Sequence, residues 1–381
     1  MKTIINFTFL FCFLLFFVCC NSDNDTPDAP TSHSISGFKF IGEHIIPDGT
    51  LFNNEVIGGL SSIDYHDGVY YLISDTPKAP IRFYTASLDF NASEFNGVKV
   101  LSQVELLTKT GASFGEQQVD PEAIRFDAGT NAIVWASEGF VNNQVDPFVR
   151  TASLQGGFTY EYALPEIFKA SSVKADTGAR NNGVFEGLCA SFDKKGYWVG
   201  MELPLKQDGV APVFGEKTDS KVRIAYIDKA TQKFGRQFTY SLGSVVRDGG
   251  FTVNGLVEIL AYDTDRFLVL ERSFASGTAD GGNDVFIYKV DASKATDVSS
   301  LNSLTSNVVP ATKELLFSFN SIRPKLSSVP GSTAKVVDNL EGMTFGPTLP
   351  NGHASLVLVA DNNFSAFGAQ LNQFIVLEVL P

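Results

Sequence analysis

Histidine and cysteine are both scarce in this chain, with four of each, and neither is arranged for the chemistry it usually serves. His33, His44, His66 and His353 are scattered, and no HExxH run offers a zinc site. Gly59-Leu60-Ser61-Ser62-Ile63 lacks the second glycine of a nucleophile elbow, so a serine triad has neither its turn nor a placed base. Cys12, Cys19 and Cys20 cluster near the start, and Cys189 stands alone in the apolar run Leu188-Cys189-Ala190. That excludes a disulfide framework and marks Cys189 as a small core residue. Basic residues are also short, 29 Lys and Arg against 42 Asp and Glu, for a net charge of −13. Such a surface repels nucleic acid and anionic membrane and favours cations.

What is present begins with Lys2 and an apolar run from Phe7 to Val18, the layout of an export signal and too short to span a bilayer comfortably. The run ends in Cys19-Cys20 and gives way to Asn21-Ser22-Asp23-Asn24-Asp25. This resembles the lipobox and acidic leader of a bacterial surface lipoprotein, although Phe17 stands where leucine is usual and Cys19 where a small residue is usual. The resemblance implies residues 1–19 as signal, Cys20 as the lipid-bearing residue, and attachment to the outer membrane through that anchor alone. Residues 20–36, rich in Asp, Pro, Ser and Thr, read as a tether. The folded domain is expected over 37–381 as a monomer. With 44% hydrophobic and 19% charged residues the chain can build a large core.

The domain is organised by a repeated hairpin. Residues 338–364 hold an acid near the start of one strand (Glu341), a Pro-Asn-Gly turn at 350–352, and a buried run, Leu356 to Val359, closed by Asp361. The same unit recurs from Gly58, Pro121, Phe185 and Leu256. Aligned, Ser61, Glu122, Glu186, Glu258 and Glu341 form a first column, and Asp75, Glu138, Glu202, Glu271 and Asp361 a second. All but Ser61 are acidic. In an antiparallel hairpin the start of the first strand and the end of the second lie together, so both columns gather at one edge.

Further strand-like runs follow each hairpin: Ile81 to Leu88 and Val98 to Leu107, Phe148 to Leu154 and Phe158 to Ala163, Lys221 to Ile227 and Phe234 to Leu242, Asp284 to Val290 and Glu314 to Phe319. Four antiparallel strands per repeat describe the blades of an all-β propeller, whose circular closure removes exposed sheet edges. Five blades are expected. The last hairpin is followed only by Phe374 to Leu380, so the N-terminal strand Phe38 to Ile46 should complete that blade. A six-bladed ring stays the alternative but needs another hairpin, and the insertions 164–184, 203–220 and 320–337 show no clear apolar alternation. A β-sandwich would not explain the recurring acids.

First strands line a propeller's channel, so the acids should ring one mouth, where like charges raise one another's pKa or require a cation. All-oxygen ligands favour Ca²⁺, with Mg²⁺ second.

Together DNLEG, SLVLVADNNF, ARNNGVFEG, GLVEILAYD and LVLERSF make the chain resemble the phytase-like family with esterase-like activity, over nearly all of the domain. Ser61 departs from the family pattern by replacing an acid, and Val184 departs from it by standing where the third repeat commonly has glycine. The resemblance implies hydrolysis of a small phosphate ester, monoester or diester. On that reading Glu122, Glu186, Glu258 and Glu341 bind metal or activate water, with Glu202, Glu271 and Asp361 as further ligands. Arg180 and Arg272 would grip phosphate, with Lys78 and Arg82 in lesser roles, and Asn182 and Asn362 would orient it. Two alternatives remain: acids that merely stitch blades together, and a propeller that binds without catalysis.

Overall fold

The computed structural model describes residues 35–76 and 78–381. The expected signal, Cys20 and nearly all of the tether lie outside them. Ile35 and Ser36 are already part of the fold: Ile35 is buried and its carbonyl accepts from Lys289, while the Ser36 amide donates to Leu380.

The chain forms a five-bladed propeller of four-stranded antiparallel sheets. A first strand, β1 (Gly37–Ile46), and a two-stranded ribbon, β2 (Leu51–Phe52) with β3 (Glu55–Val56), precede the first complete blade. Blade I is β4 (Leu60–His66), β5 (Val69–Ser74), β6 (Arg82–Phe90) and β7 (Phe95–Glu105). Blade II is β8 (Pro121–Asp127), β9 (Ala132–Ser137), β10 (Phe148–Ala152) and β11 (Phe158–Glu161). Blade III is β12 (Phe185–Ala190), β13 (Gly196–Met201), β14 (Lys221–Asp228) and β15 (Lys233–Ser241). Blade IV is β16 (Thr252–Asp263), β17 (Arg266–Ala275), β18 (Asn283–Asp291) and β19 (Thr312–Ser318). Blade V takes β20 (Leu340–Phe345), β21 (Ser355–Ala360) and β22 (Asn372–Leu380) from the end of the chain and β1 from its start.

β1 pairs antiparallel with β22 from Gly37 opposite Leu380 to Ile46 opposite Asn372, closing the ring as the sequence suggested. The insertions 164–184, 203–220 and 320–337 add no sixth blade; 164–184 and 320–337 carry short 3-10 turns, and 203–220 is irregular backbone.

Apolar layers fill the space between blades, and strand alternation decides which layer a side chain joins. In β21, Val357 and Val359 pack with Ile63 and Leu72 of blade I, while Leu356 and Leu358 pack with Leu268, Leu270 and Ile287 of blade IV. Both faces of the strand are therefore buried, which is why it reads as an unbroken apolar run. Burying each such side chain stabilises the fold by about 1.5–3 kcal/mol.

The inner strands β4, β8, β12, β16 and β20 neighbour one another in a closed circle. Each carries a bulge against its second strand, next to the strand start at Ser61, Glu122, Glu186 and Glu341 and in mid-strand at Val257 of the longer β16. An extra residue there twists the strand end and re-aims its side chain. These bulges set the geometry of the mouth.

Candidate metal centre at the propeller mouth

The bulges bring most of the expected acids together and move two away. In blades II, III and V the bulged residue is the glutamate itself. In blade IV it is Val257: Leu256 pairs with Glu271 and Glu258 with Leu270, so the residues equivalent to the two columns are Val257 and Arg272. The acids of the fourth repeat are displaced by one residue, and both take structural partners.

Glu258 is fully buried and meets Arg125 of blade II at 2.6 Å. It also accepts from the amides of Leu188 and Ile259 and from Ser62, each at 3.0 Å. Arg125 donates to Ser62, to the Ile63 carbonyl and to the Met343 carbonyl. Blades I to V all contribute to this knot, so Glu258 closes the centre of the ring instead of joining the mouth. Glu271 is likewise engaged away from the mouth acids. It accepts from Tyr240, from Lys313 at 2.5 Å, and from the Gly243 amide and Asn254 at 3.0 Å each.

The remaining acids gather at the mouth, buried except for the partly exposed Asp75 and Asp120. Oxygens of Glu138, Glu186 and Glu202 lie within 4.8 Å of one another, as do those of Asp75, Asp120 and Glu122. Glu341 and Asp361 extend it through blade V: Glu341 accepts from Asn339 at 3.0 Å, and Asp361 from the Asn363 amide at 2.7 Å. Arg272 stands where the other blades place an acid and bridges Glu202 at 3.3 Å and Glu341 at 3.1 Å.

Burial pushes every one of these carboxyls upward, Asp120 and Glu341 included. Desolvation leads throughout. Glu138 rises to about 8, pressed further by Glu202 and Asp120. Glu202 rises to about 7, with Arg272 opposing the shift. Asp75, Glu122, Glu186 and Asp361 rise well above the usual carboxylate range, with neighbouring acids adding to burial in each case. Acids held this way either keep protons or share a cation.

Several buried polar atoms here lack a conventional hydrogen-bond partner among the described residues, Glu138 Oε2, Asp75 Oδ1, Arg272 Nε and Asn362 Nδ2, while the carboxyls of Glu138 and Asp75 bond to those of Glu186 and Asp120. Buried groups left open in a native fold call for an explanation, and a bound ion or ligand is a common one. The donor set is all carboxylate oxygen, which suits a hard divalent cation. Buried acidic clusters that could hold a metal ion are thus a feature of this mouth.

Other expected contacts lie elsewhere. Arg180 donates to the carbonyls of Pro204 at 3.1 Å and Gly209 at 2.9 Å, bracing the 203–220 insertion. Arg82 holds Tyr84, Pro80 and Val56. Lys78 is exposed, and Asn182 is an exposed turn residue with φ of 54°. Asn362 does reach the closing seam of the ring, where its side-chain oxygen accepts from Gly59 at 2.9 Å and Phe364 at 3.2 Å. Gly59 has φ of +61°, and a Cβ there would collide with the Asp75 carbonyl, so this approach requires glycine. Asp120 belongs to neither column, since it precedes the strand; the run Asp-Pro-Glu at 120–122 is its signal in the sequence.

No curated protein matches the chain. Among solved structures, a xylan β-1,4-xylosidase from Bacillus halodurans C-125 is 10% identical with a TM-score of 0.45, covering 91% of this chain and 53% of its own, so the chain spans about half of that enzyme. The catalytic domain of a GH62 α-L-arabinofuranosidase from Coprinopsis cinerea is 10% identical with a TM-score of 0.46, covering 91% of this chain and 98% of its own. At these scores nothing about chemistry passes from them to this protein. A family model described as phytase-like, with esterase-like activity of phytase, matches residues 55–364. That span takes in every mouth acid and every inner strand, and the chain belongs to the phytase-like family.

Proposed function

We propose that this propeller hydrolyses phosphate esters with the help of a divalent cation held at its mouth. The observation that supports this most directly is the gathering of Glu122, Glu138, Glu186, Glu202 and Glu341 beside unpartnered oxygens, in a chain of the phytase-like family. Ca²⁺ suits the site best and Mg²⁺ second, because all the donors are hard oxygens. A bound cation would neutralise the acids and supply an electrophile that polarises phosphate oxygen and activates water.

The chain's own residues have defined tasks in this reading. The carboxylates hold the cation and keep a preformed negative cradle that needs no rearrangement. Asn339 fixes Glu341, and the Val184 amide fixes Glu138 at 3.0 Å. Arg272 turns its free Nε edge to an incoming phosphate oxygen, while its Nη2 stays tied to Glu202 and Glu341. Glu122, with Glu186 as its strongest charged neighbour, is the candidate base for the attacking water.

The test is a panel of phosphomonoesters and phosphodiesters assayed with Ca²⁺ or Mg²⁺, before and after chelation. Turnover that is lost on chelation and restored by the ion is the expected result. Turnover indifferent to every cation would overturn the mechanism, and binding without turnover would make the protein a ligand-binding propeller.

A further inference from the structure

The inner hairpin of blade IV is longer than its four counterparts, and the surplus stands on the mouth side. One residue precedes the bulge in β4, β8, β12 and β20, whereas five, Thr252 to Leu256, precede it in β16. Thr252 to Gly255 pair with Ala275 to Arg272, so the two strands rise roughly 13 Å above the level at which the other inner strands stop.

This wall carries Arg272 at its foot. Residues opposed across an antiparallel pair, and residues two apart along a strand, share a face. Gly255 opposes Arg272 and Val253 opposes Phe274, so Phe274 and Val253 stand above the guanidinium on the face that turns to Glu341 of blade V. Both are half-buried. Phe251, 64% exposed, extends the surface, its ring centroid 6.2 Å from that of Phe274. The polar residues of the wall take the other face, where Asn254 donates to Glu271 and Ser273 accepts from the Val246 amide, each at 3.0 Å. Ion pairs brace the wall from behind: Arg247 meets Asp284 at 2.6 Å and Asp280 at 2.7 Å, and Arg323 meets Asp280 at 3.2 Å.

The position of the open apolar face names its occupant. Arg272 Nε is unpartnered, and a phosphate oxygen bound there leaves the rest of the ester one strand period, roughly 6.6 Å, up the wall against Phe274. A sugar or inositol ring would press hydroxyls or further phosphates on side chains that cannot bond them. One guanidinium set among carboxylates also matches a single anionic group and repels a polyanion.

We propose that the wall of blade IV selects the alcohol half of the substrate: the mouth takes an ester with one phosphate and an apolar group, and that group packs on Phe274, Val253 and Phe251. This rests on the reading of the mouth as a phosphate-ester site with Arg272 at the phosphate, and adds the class of substrate.

Calorimetric binding of two phosphonates with Ca²⁺ present tests this: benzylphosphonate, whose methylene stands in for the ester oxygen, and 2-hydroxyethylphosphonate as its polar counterpart. Benzylphosphonate should bind at least about ten-fold more tightly, from the apolar area it covers. Phe274→Ser should bring that ratio below about three, and Arg272→Gln should weaken both probes. If circular dichroism shows that Phe274→Ser misfolds, the double variant Phe251→Ser with Val253→Thr takes its place. Equal affinity for the two probes, or a ratio untouched in the folded wall variants, overturns the proposal. Hydrolysis of phenyl phosphate and glycerol phosphate, assayed in parallel, keeps the two readings apart. Turnover of both esters without a preference for benzylphosphonate removes the apolar seat alone. The preference without turnover of either ester supports the seat and removes hydrolysis. Binding of neither phosphonate overturns both.

Discussion

Arg125 and Glu258 belong to blades that do not touch in sequence order, yet their side chains meet at 2.6 Å and are 3% and 0% exposed. A pair between blades II and IV must cross the centre of the ring. Its partners on blades I, III and V make it the axle of the propeller.

Removing one partner of a buried pair leaves an uncompensated charge, so Glu258→Gln and Arg125→Met should each cost about 3–5 kcal/mol in urea unfolding. The double variant that combines Glu258→Leu with Arg125→Met removes both charges together and should recover part of that loss. Ca²⁺ affinity of the folded single variants should stay unchanged. A large drop in affinity on Glu258→Gln would place this residue back among the ligands.

Arg272 pairs with Glu202 and Glu341, two of the proposed cation ligands, so a cation bound there would compete with it. Arg272→Gln should therefore tighten Ca²⁺ binding while raising KM for a phosphate ester. Calorimetry and steady-state kinetics read the two effects separately. Weakened Ca²⁺ binding would show that the guanidinium organises the acids and does not compete for them.

Stability should fall as pH rises when no cation is present. Glu138 titrates at about 8 and Glu202 at about 7 in the fold, against 4.5 in the unfolded chain, so between these limits the folded state holds more protons than the unfolded one. Unfolding free energy then declines from about pH 4.5 to about pH 8. Ca²⁺ replaces the protons, so the melting point measured with Ca²⁺ minus that in chelator should grow across the same range. A gap that does not change with pH would refute the linkage.

Deleting residues 35–47 removes β1 and leaves the β22 edge bare. The melting point should drop by roughly 10 °C or more, since the ladder that ties the start of the chain to blade V is lost and Phe38, Ile41 and Ile46 leave the apolar layers they fill. A drop of only a few degrees would mean that β1 adds little to closure.

The strand plan was legible because each inner hairpin combines an apolar run with a clear turn, and both faces of strands such as Ser355–Ala360 are buried. The bulges were not. In repeats II, III and V one apolar or proline residue precedes the acid and a small residue follows it: Pro121-Glu122-Ala123, Phe185-Glu186-Gly187, Leu340-Glu341-Gly342. In repeat IV two apolar residues, Leu256 and Val257, come first, and Glu258 occupies the place of Ala123, Gly187 and Gly342. Matching acid to acid hid this shift, because an apolar pattern does not say which residue bulges. Asp120 escaped for a simpler reason, as it lies outside the strand that defines the column.

The displaced fourth blade also breaks rotational symmetry. Identical blades would offer a bound ion and its ligand several equivalent orientations about the ring axis. A guanidinium at one vertex and carboxylates at the others give the mouth a positive and a negative side. Under the proposed hydrolysis, a ligand with an anionic group would settle one way round, which would fix the geometry of its reacting bond.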